Sequence, residues 1–159
     1  MCAVSDLALL RTPRQLVLFR VGDTHYGLDI EAVDEILPLI AITPVAGAQG
    51  GVLGLADVRK RVVPVFDLHW KFGVPRPPDG RDSRLILVDA AEGPVALLVD
   101  AVEEVLTVQR EDFQQVAPPG DRRGLGYLNG VVRRDNGLVV WVDPRRLVPD
   151  DVSSVLQAA

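Results

Sequence analysis

One stretch of this chain occurs twice, and that duplication limits what it can fold into more than any other feature. The segment LVLFRVGDTHYGLDIEAVDEIL, Leu16 to Leu37, aligns without gaps on LILVDAAEGPVALLVDAVEEVL, Leu85 to Leu106. Identical pairs are Leu16/Leu85, Leu18/Leu87, Leu28/Leu97, Val33/Val102, Glu35/Glu104 and Leu37/Leu106. A second pair follows: GLADVRKRVVPVFD, Gly54 to Asp67, resembles GVVRRDNGLVVWVD, Gly130 to Asp143. A repeat of this length implies one supersecondary unit used twice. The chain therefore reads as a tail over 1–13, two related halves over about 14–78 and 79–149, and a C-terminal tail or short helix over 150–159.

Each half scans as strand, turn, strand, short helix and hairpin. Runs of about six residues rich in Val, Leu and Ile predict strands at Val17–Val21, His25–Ile30, Val52–Val58 and Val62–Leu68. Their counterparts are Leu85–Asp89, Val95–Val99, Tyr127–Arg133 and Leu138–Val142. The spacing of Val33, Ile36 and Leu37, and of Val102, Val105 and Leu106, predicts two short helices. Pro38 would end the first, and Asp100 with Glu103 would cap the second. Asp135-Asn136-Gly137 is a turn signal, and Pro64 inside an apolar run predicts an edge strand or a bulge.

Several strands are apolar on both faces. In Leu138–Val142, Leu138, Val140 and Val142 share one side, while Val139 and Trp141 share the other. A lone small barrel needs one apolar face per strand, so the second faces either the other half or a binding groove.

The function classes that composition excludes follow from charge and cysteine count. A net charge of −5 offers no field for phosphate, so a nucleic-acid binder is not expected. Arg59, Lys60 and Arg61 form a lone basic tip in an acidic chain. The single Cys2 permits no intrachain disulfide or thiolate metal centre. No apolar run approaches the ~18 residues of a membrane span, and nothing at the start reads as a signal peptide. The expectation is a soluble, cytoplasmic protein with no direct membrane insertion.

Chemistry-bearing patterns are sparse. His25 and His69 are the only histidines, and neither belongs to a metal-ligand spacing. No GxSxG, GxGxxG or phosphate-loop pattern occurs. Asp67, Asp100 and Asp143 each follow an apolar strand, where a turn or helix cap accounts for them. The sequence predicts no catalytic residue, no metal site and no cofactor. A small enzyme using Asp and His in a groove between the halves is the out-of-class alternative. It requires His25 or His69 within hydrogen-bond reach of a carboxylate in a cleft.

The segment GLADVRKRVVPVFDL, Gly54 to Leu68, resembles the signature of the CheW family. That pattern runs Gly, two apolar residues, Asn, apolar, Arg, Gly, a polar residue, then Val-Val-Pro, two apolar residues and Asp-Leu. YGLDIEAVDEIL upstream and VALLVDAVEEVL, YLNGVV and LVVWVDPRRL downstream extend the resemblance over about 14–148. Asp57 stands where the pattern has Asn and Lys60 where it has Gly.

What the resemblance implies is a mainly β fold of two small five-stranded src-homology-like barrels sharing an interface, with a few short helices. It also implies a non-catalytic adaptor in chemotaxis-type signal transduction. Its partners would be the regulatory domain of the histidine kinase CheA and the cytoplasmic tip of methyl-accepting chemoreceptors, in membrane-associated arrays. A twitching-motility or other non-flagellar kinase pathway is the alternative.

The resemblance also marks Glu35 and Arg59 as an important ion pair, and Asp57 and Lys60 as tip residues facing a partner. Glu104 stands at the Glu35 position of the second half, but Asp135 stands at the Arg59 position. The pair is therefore expected once only. Val33 and Ile36, with Val102 and Val105 as counterparts, are expected to divide between groove wall and core.

Overall fold

The computed structural model describes residues 13–48, 50–90, 93–115, 126–135 and 137–148. The elements in order are β1 (Arg14–Val21), β2 (Thr24–Asp29), β3 (Val33–Pro38), β4 (Val52–Val58), β5 (Arg61–Asp67) and a short helix α1 (Leu68–Phe72). Then come β6 (Arg84–Ala90), β7 (Gly93–Val99), β8 (Ala101–Val108), β9 (Phe113–Gln114), β10 (Leu128–Arg134), β11 (Gly137–Val142) and α2 (Pro144–Leu147). The C-terminal tail and Asn136 of the second hairpin, both assigned structure from the sequence, lie outside the described residues.

The strands form two curled sheets, ordered β8-β1-β2-β11-β10-β9 and β3-β6-β7-β5-β4. Among the described residues neither ladder closes on itself. Replacing β1, β2, β3, β4 and β5 by β6, β7, β8, β10 and β11 converts one order into the other, so the duplication is real at the level of pairing. The sequence halves, however, are not the structural halves. Each sheet takes two strands from one repeat and the rest from the other, so neither repeat can complete a sheet alone.

The two expected helices are strands. β3 pairs with β6 and β8 with β1, and each pairing carries a one-residue bulge at matched positions. The ladder steps from Val33↔Val88 to Glu35↔Leu87, and from Phe19↔Val102 to Leu18↔Glu104. One extra residue puts Val33 and Ile36 on the same face at a separation of three, which imitates a helical period. Pro38 ends a strand rather than a helix. Glu103 caps nothing and instead reaches His25, while Asp100 accepts a hydrogen bond from the Gly22 amide.

The other punctuation residues fare differently. Asp67 and Asp143 do cap α1 and α2, accepting from the amides of His69 and Arg145. β5 is an interior strand, not an edge. Its ladder with β7 begins only at Val65, though, so Pro64 sits where β4 is its sole neighbour and no donor is missed.

Strands apolar on both faces are explained by three cores. Leu16, Leu18, Val139 and Trp141 fill the first sheet's own interior. Val63, Val65, Leu85, Leu87, Ala96 and Leu98 fill that of the second. Between the sheets lies a larger shared core, with Phe19, Val21, Tyr26 and Leu28 on one side and Phe66, Ile86, Val88 and Leu97 on the other. Each fully buried aliphatic or aromatic side chain contributes about 1.5–3 kcal/mol. The shared core therefore holds the two sheets as one body.

Candidate functional site

The β4–β5 hairpin has a two-residue loop, because Val58 pairs with Arg61. Arg59 and Lys60 fill it with φ of 52° and 69°. Positive φ at both positions makes the turn twist with its strands, and non-glycine residues there cost about 1–2 kcal/mol each. The Gly that the resemblance leads one to expect at Lys60 is absent, yet the backbone keeps the conformation that a Gly would favour.

This turn aims Arg59 at β3. Its guanidinium donates to the Glu35 carboxylate at 2.5 Å, with the arginine side chain 77% exposed. So exposed a pair adds at most about 1 kcal/mol to stability. It presents charge to solvent and does little to hold the fold. Asp57, on β4 opposite Val62, is likewise exposed, as is Lys60.

The expectation of a single pair is overturned. Arg134 donates to Glu104 at 3.3 Å. It stands one position before the Arg59 equivalent, as the last residue of β10 rather than the first of the turn. Alignment by position finds Asp135 there and misses its neighbour, because an arginine is long enough to serve from either place.

The four aliphatic candidates divide by position. Val33 and Val102 pack against the shared core, partly buried. Ile36 and Val105, their neighbours on the same faces, are 41% and 46% exposed. Val62 and Leu138, another matched pair, are also exposed. Each sheet thus shows solvent an acid–arginine bridge together with bare aliphatic side chains on its β3 or β8 strand. Aliphatic surface next to directional charge suits a protein partner. Trp70, exposed on α1, had no sequence signal marking it as surface.

The geometric test for an enzyme gives a mixed picture. His69 lies 2.8 Å from Asp67 and 2.9 Å from Asp100, but only 2% of its side chain is exposed and both ring nitrogens are engaged. His25 bonds Glu103 at the surface. A cleft of about 360 Å³ lies elsewhere, lined by Leu39, Ile40, Ile42, Leu53, Arg76 and Asp79 among others. Of the ionisable residues lining it among the described residues, Arg76 and Asp79 bond each other. No helix among the described residues is long and apolar enough to cross a membrane.

Comparison with known proteins agrees with this architecture. Residues 15–152 match the family model of the CheW-like domain. A chemotaxis protein CheW of Treponema pallidum (strain Nichols) is 29% identical over 139 residues, covering 84% of this chain and 81% of that protein. Protein PilI of Pseudomonas aeruginosa is 26% identical over 123 residues, covering 77% of this chain and 69% of that protein. The crystal structure of the scaffolding protein TtCheW from Thermoanaerobacter tengcongensis superposes with a TM-score of 0.78 at 27% identity, covering 87% of this chain and 89% of that one. With the fold, the duplication and the signature segment all in agreement, this chain belongs to the CheW-like domain family.

Proposed function

We propose that this chain is a non-catalytic, cytoplasmic adaptor that couples chemoreceptors to the histidine kinase CheA, within receptor arrays at the membrane. The observation that carries the reading is the doubled surface motif: Glu35–Arg59 beside Ile36 in one sheet, and Glu104–Arg134 beside Val105 in the other. A coupling protein must hold two partners at once, and two similar but unequal faces on one rigid body meet that need. In the first bridge the glutamate is the more buried member, and in the second the arginine is. The two faces therefore present opposite charges outermost. The burial of His69, with both ring nitrogens engaged, is consistent with a structural role for that side chain.

The test is calorimetric titration of the chain with the kinase regulatory domain and, separately, with a receptor tip fragment. Binding to both, with release of no product from either, is the expected result; binding to neither refutes the reading. The similarity to Protein PilI favours a second reading, an adaptor of the same kind in a twitching or other non-flagellar pathway. Deletion of the gene distinguishes them by which form of movement is lost.

A further inference from the structure

Two four-residue connections hold the same place in the two repeats and are built differently. Residues 109–112 join β8 to β9, and residues 39–42 join β3 to the Thr43–Leu55 bridge, which stands where β9 does. The first reads Gln-Arg-Glu-Asp and closes on itself. The Asp112 amide donates to the Gln109 carbonyl at 3.0 Å, and the Gln109 amide donates to the Asp112 carboxylate at 3.1 Å. The second reads Leu-Ile-Ala-Ile. Among the described residues its backbone bonds to no other backbone, and pairing resumes only at Thr43, joined to Leu55 in both directions at 2.7 and 2.8 Å. The fold can thus make this corner polar and self-satisfied. At 39–42 it is aliphatic instead, with N–H and C=O groups that need an outside partner.

The same four residues line the cleft of about 360 Å³, a volume at the lower end of the range for ligand pockets. Leu39, Ile40, Ile42 and Leu53 give it an aliphatic lining that rests partly on the second sheet's own core. Arg76 and Asp79 line it too, and Arg76 belongs to the run Pro75-Arg76-Pro77-Pro78. Three of those four residues have no N–H, so this run cannot supply the ladder that would close the gap. Unpaired backbone beside an apolar cleft suits an extended peptide. Main-chain hydrogen bonds then give affinity, and every second side chain enters the cleft.

Charge narrows the occupant. Residues 76–84 carry Arg76, Arg81 and Arg84 against Asp79 and Asp82, a local positive excess in a chain of net charge −5. Arg76 is held by Asp79, whereas Arg84 donates to the carbonyls of Arg81 and Ser83. Arg84 is the ladder partner of Pro38, which places it at the entry to 39–42. An acidic residue at that end of a peptide meets it with the right sign. We propose that 39–42 is a strand-addition site for an extended segment of a partner protein, aliphatic at alternate positions and acidic at one end. It adjoins the start of β4, away from the Arg59 turn at the other end of that strand, and is independent of the docking faces proposed above.

The test titrates the full chain, by NMR, with the synthetic peptide acetyl-Asp-Glu-Val-Thr-Val-Thr-Val-amide up to about 1 mM. Two further forms are N-methylated, one on its valines and one on its threonines, so that each loses the N–H groups of one edge. The expected result is slowed hydrogen exchange at the amides of 39–42 when the parent peptide binds. One methylated form should bind like the parent and the other about tenfold more weakly, because only one edge of the peptide pairs. A peptide with Lys-Lys in place of Asp-Glu should bind at least about threefold more weakly. Methylated forms that bind alike, or exchange at 39–42 that ignores the peptide, overturn strand addition. A lysine-ended peptide that binds as well overturns the acidic end. Slow exchange at 39–42 without peptide also overturns the proposal: at every chain concentration it would make a segment of the same chain the occupant, and only at high concentration a second copy.

Discussion

Arg134 holds Glu104 in the first sheet as Arg59 holds Glu35 in the second, although the two arginines stand at different positions of their hairpins. The charge arrangement is therefore common to both halves while the residue position is not. Exposed bridges contribute about 0–1 kcal/mol, so charge reversal at either arginine should shift the melting temperature by no more than about 4 °C. Partner binding should respond far more. Arg59→Glu and Arg134→Glu are each expected to weaken one partner about tenfold or more, and not the same partner. Unchanged affinity of both variants for both the kinase regulatory domain and the receptor tip would remove the bridges from the docking faces.

Ile36 and Val105 should separate from Val33 and Val102 when each is replaced by Ser. The first two are exposed, so Ile36→Ser and Val105→Ser should leave the melting temperature nearly unchanged and cost about 1–3 kcal/mol of partner binding. Val33 and Val102 pack on the shared core, and their Ser variants should lose about 1–3 kcal/mol of stability. Paired melts and titrations check this. A proportional loss of stability and binding in all four would make them all core residues.

Much of this was legible from the sequence. The duplication, eight of the strands and the two capping aspartates rest on local pattern or on residue type, and the Glu35–Arg59 contact on the family resemblance. What escaped depends on what a one-dimensional pattern cannot carry. A bulged strand and a short helix both place residues three apart on one face, so Val33 and Ile36 fitted either. The exchange of strands between repeats is a matter of long-range pairing, and an alignment of the two halves is blind to it. Arg134 was missed because side-chain reach, not position, makes the bridge. The contacts of His69 escaped because Asp67 is near it in sequence but Asp100 is 31 residues away.

Lys60 occupies a turn position with φ of 69°, where glycine has no steric penalty. Lys60→Gly should therefore stabilise the chain by about 0.5–1 kcal/mol, the relief of αL strain being offset in part by the freer unfolded state. Chemical denaturation checks this, and a loss of stability would mean that the Lys60 side chain makes a favourable interaction.

Two matched glycines should differ in how they tolerate a methyl group. A Cβ on Gly54 would lie 2.2 Å from the Thr43 carbonyl oxygen, which is backbone and bonded into the Thr43–Leu55 bridge. A Cβ on Gly130 would first meet the Phe113 ring at 2.6 Å, and a ring can swing aside. Gly54→Ala is expected to cost about 2–4 kcal/mol and Gly130→Ala clearly less. Equal losses would show that the Thr43 backbone moves as freely as the Phe113 ring.

Alkaline pH should probe the aromatic seam between the sheets. Tyr26 and Tyr127 are the only tyrosines, both are buried, and Phe72 lies between their rings. Burial raises both phenols above their ordinary value of 10.0; for Tyr26, the nearby Tyr127 charge adds to this and a hydrogen bond with Thr24 opposes it. In the unfolded chain both ionise near that ordinary value, whereas the folded chain holds them neutral to higher pH. The stability tied to the neutral phenols is therefore complete below pH 10 and is lost as pH rises beyond it. Tyr26→Phe and Tyr127→Phe each remove one group that favours the unfolded state in alkali, so each should move the alkaline unfolding midpoint upward. The double variant should move it furthest, because it also removes the repulsion between two phenolates. Circular dichroism against pH measures the midpoint. A double variant that unfolds at the same pH as the wild type would place the alkaline weakness elsewhere.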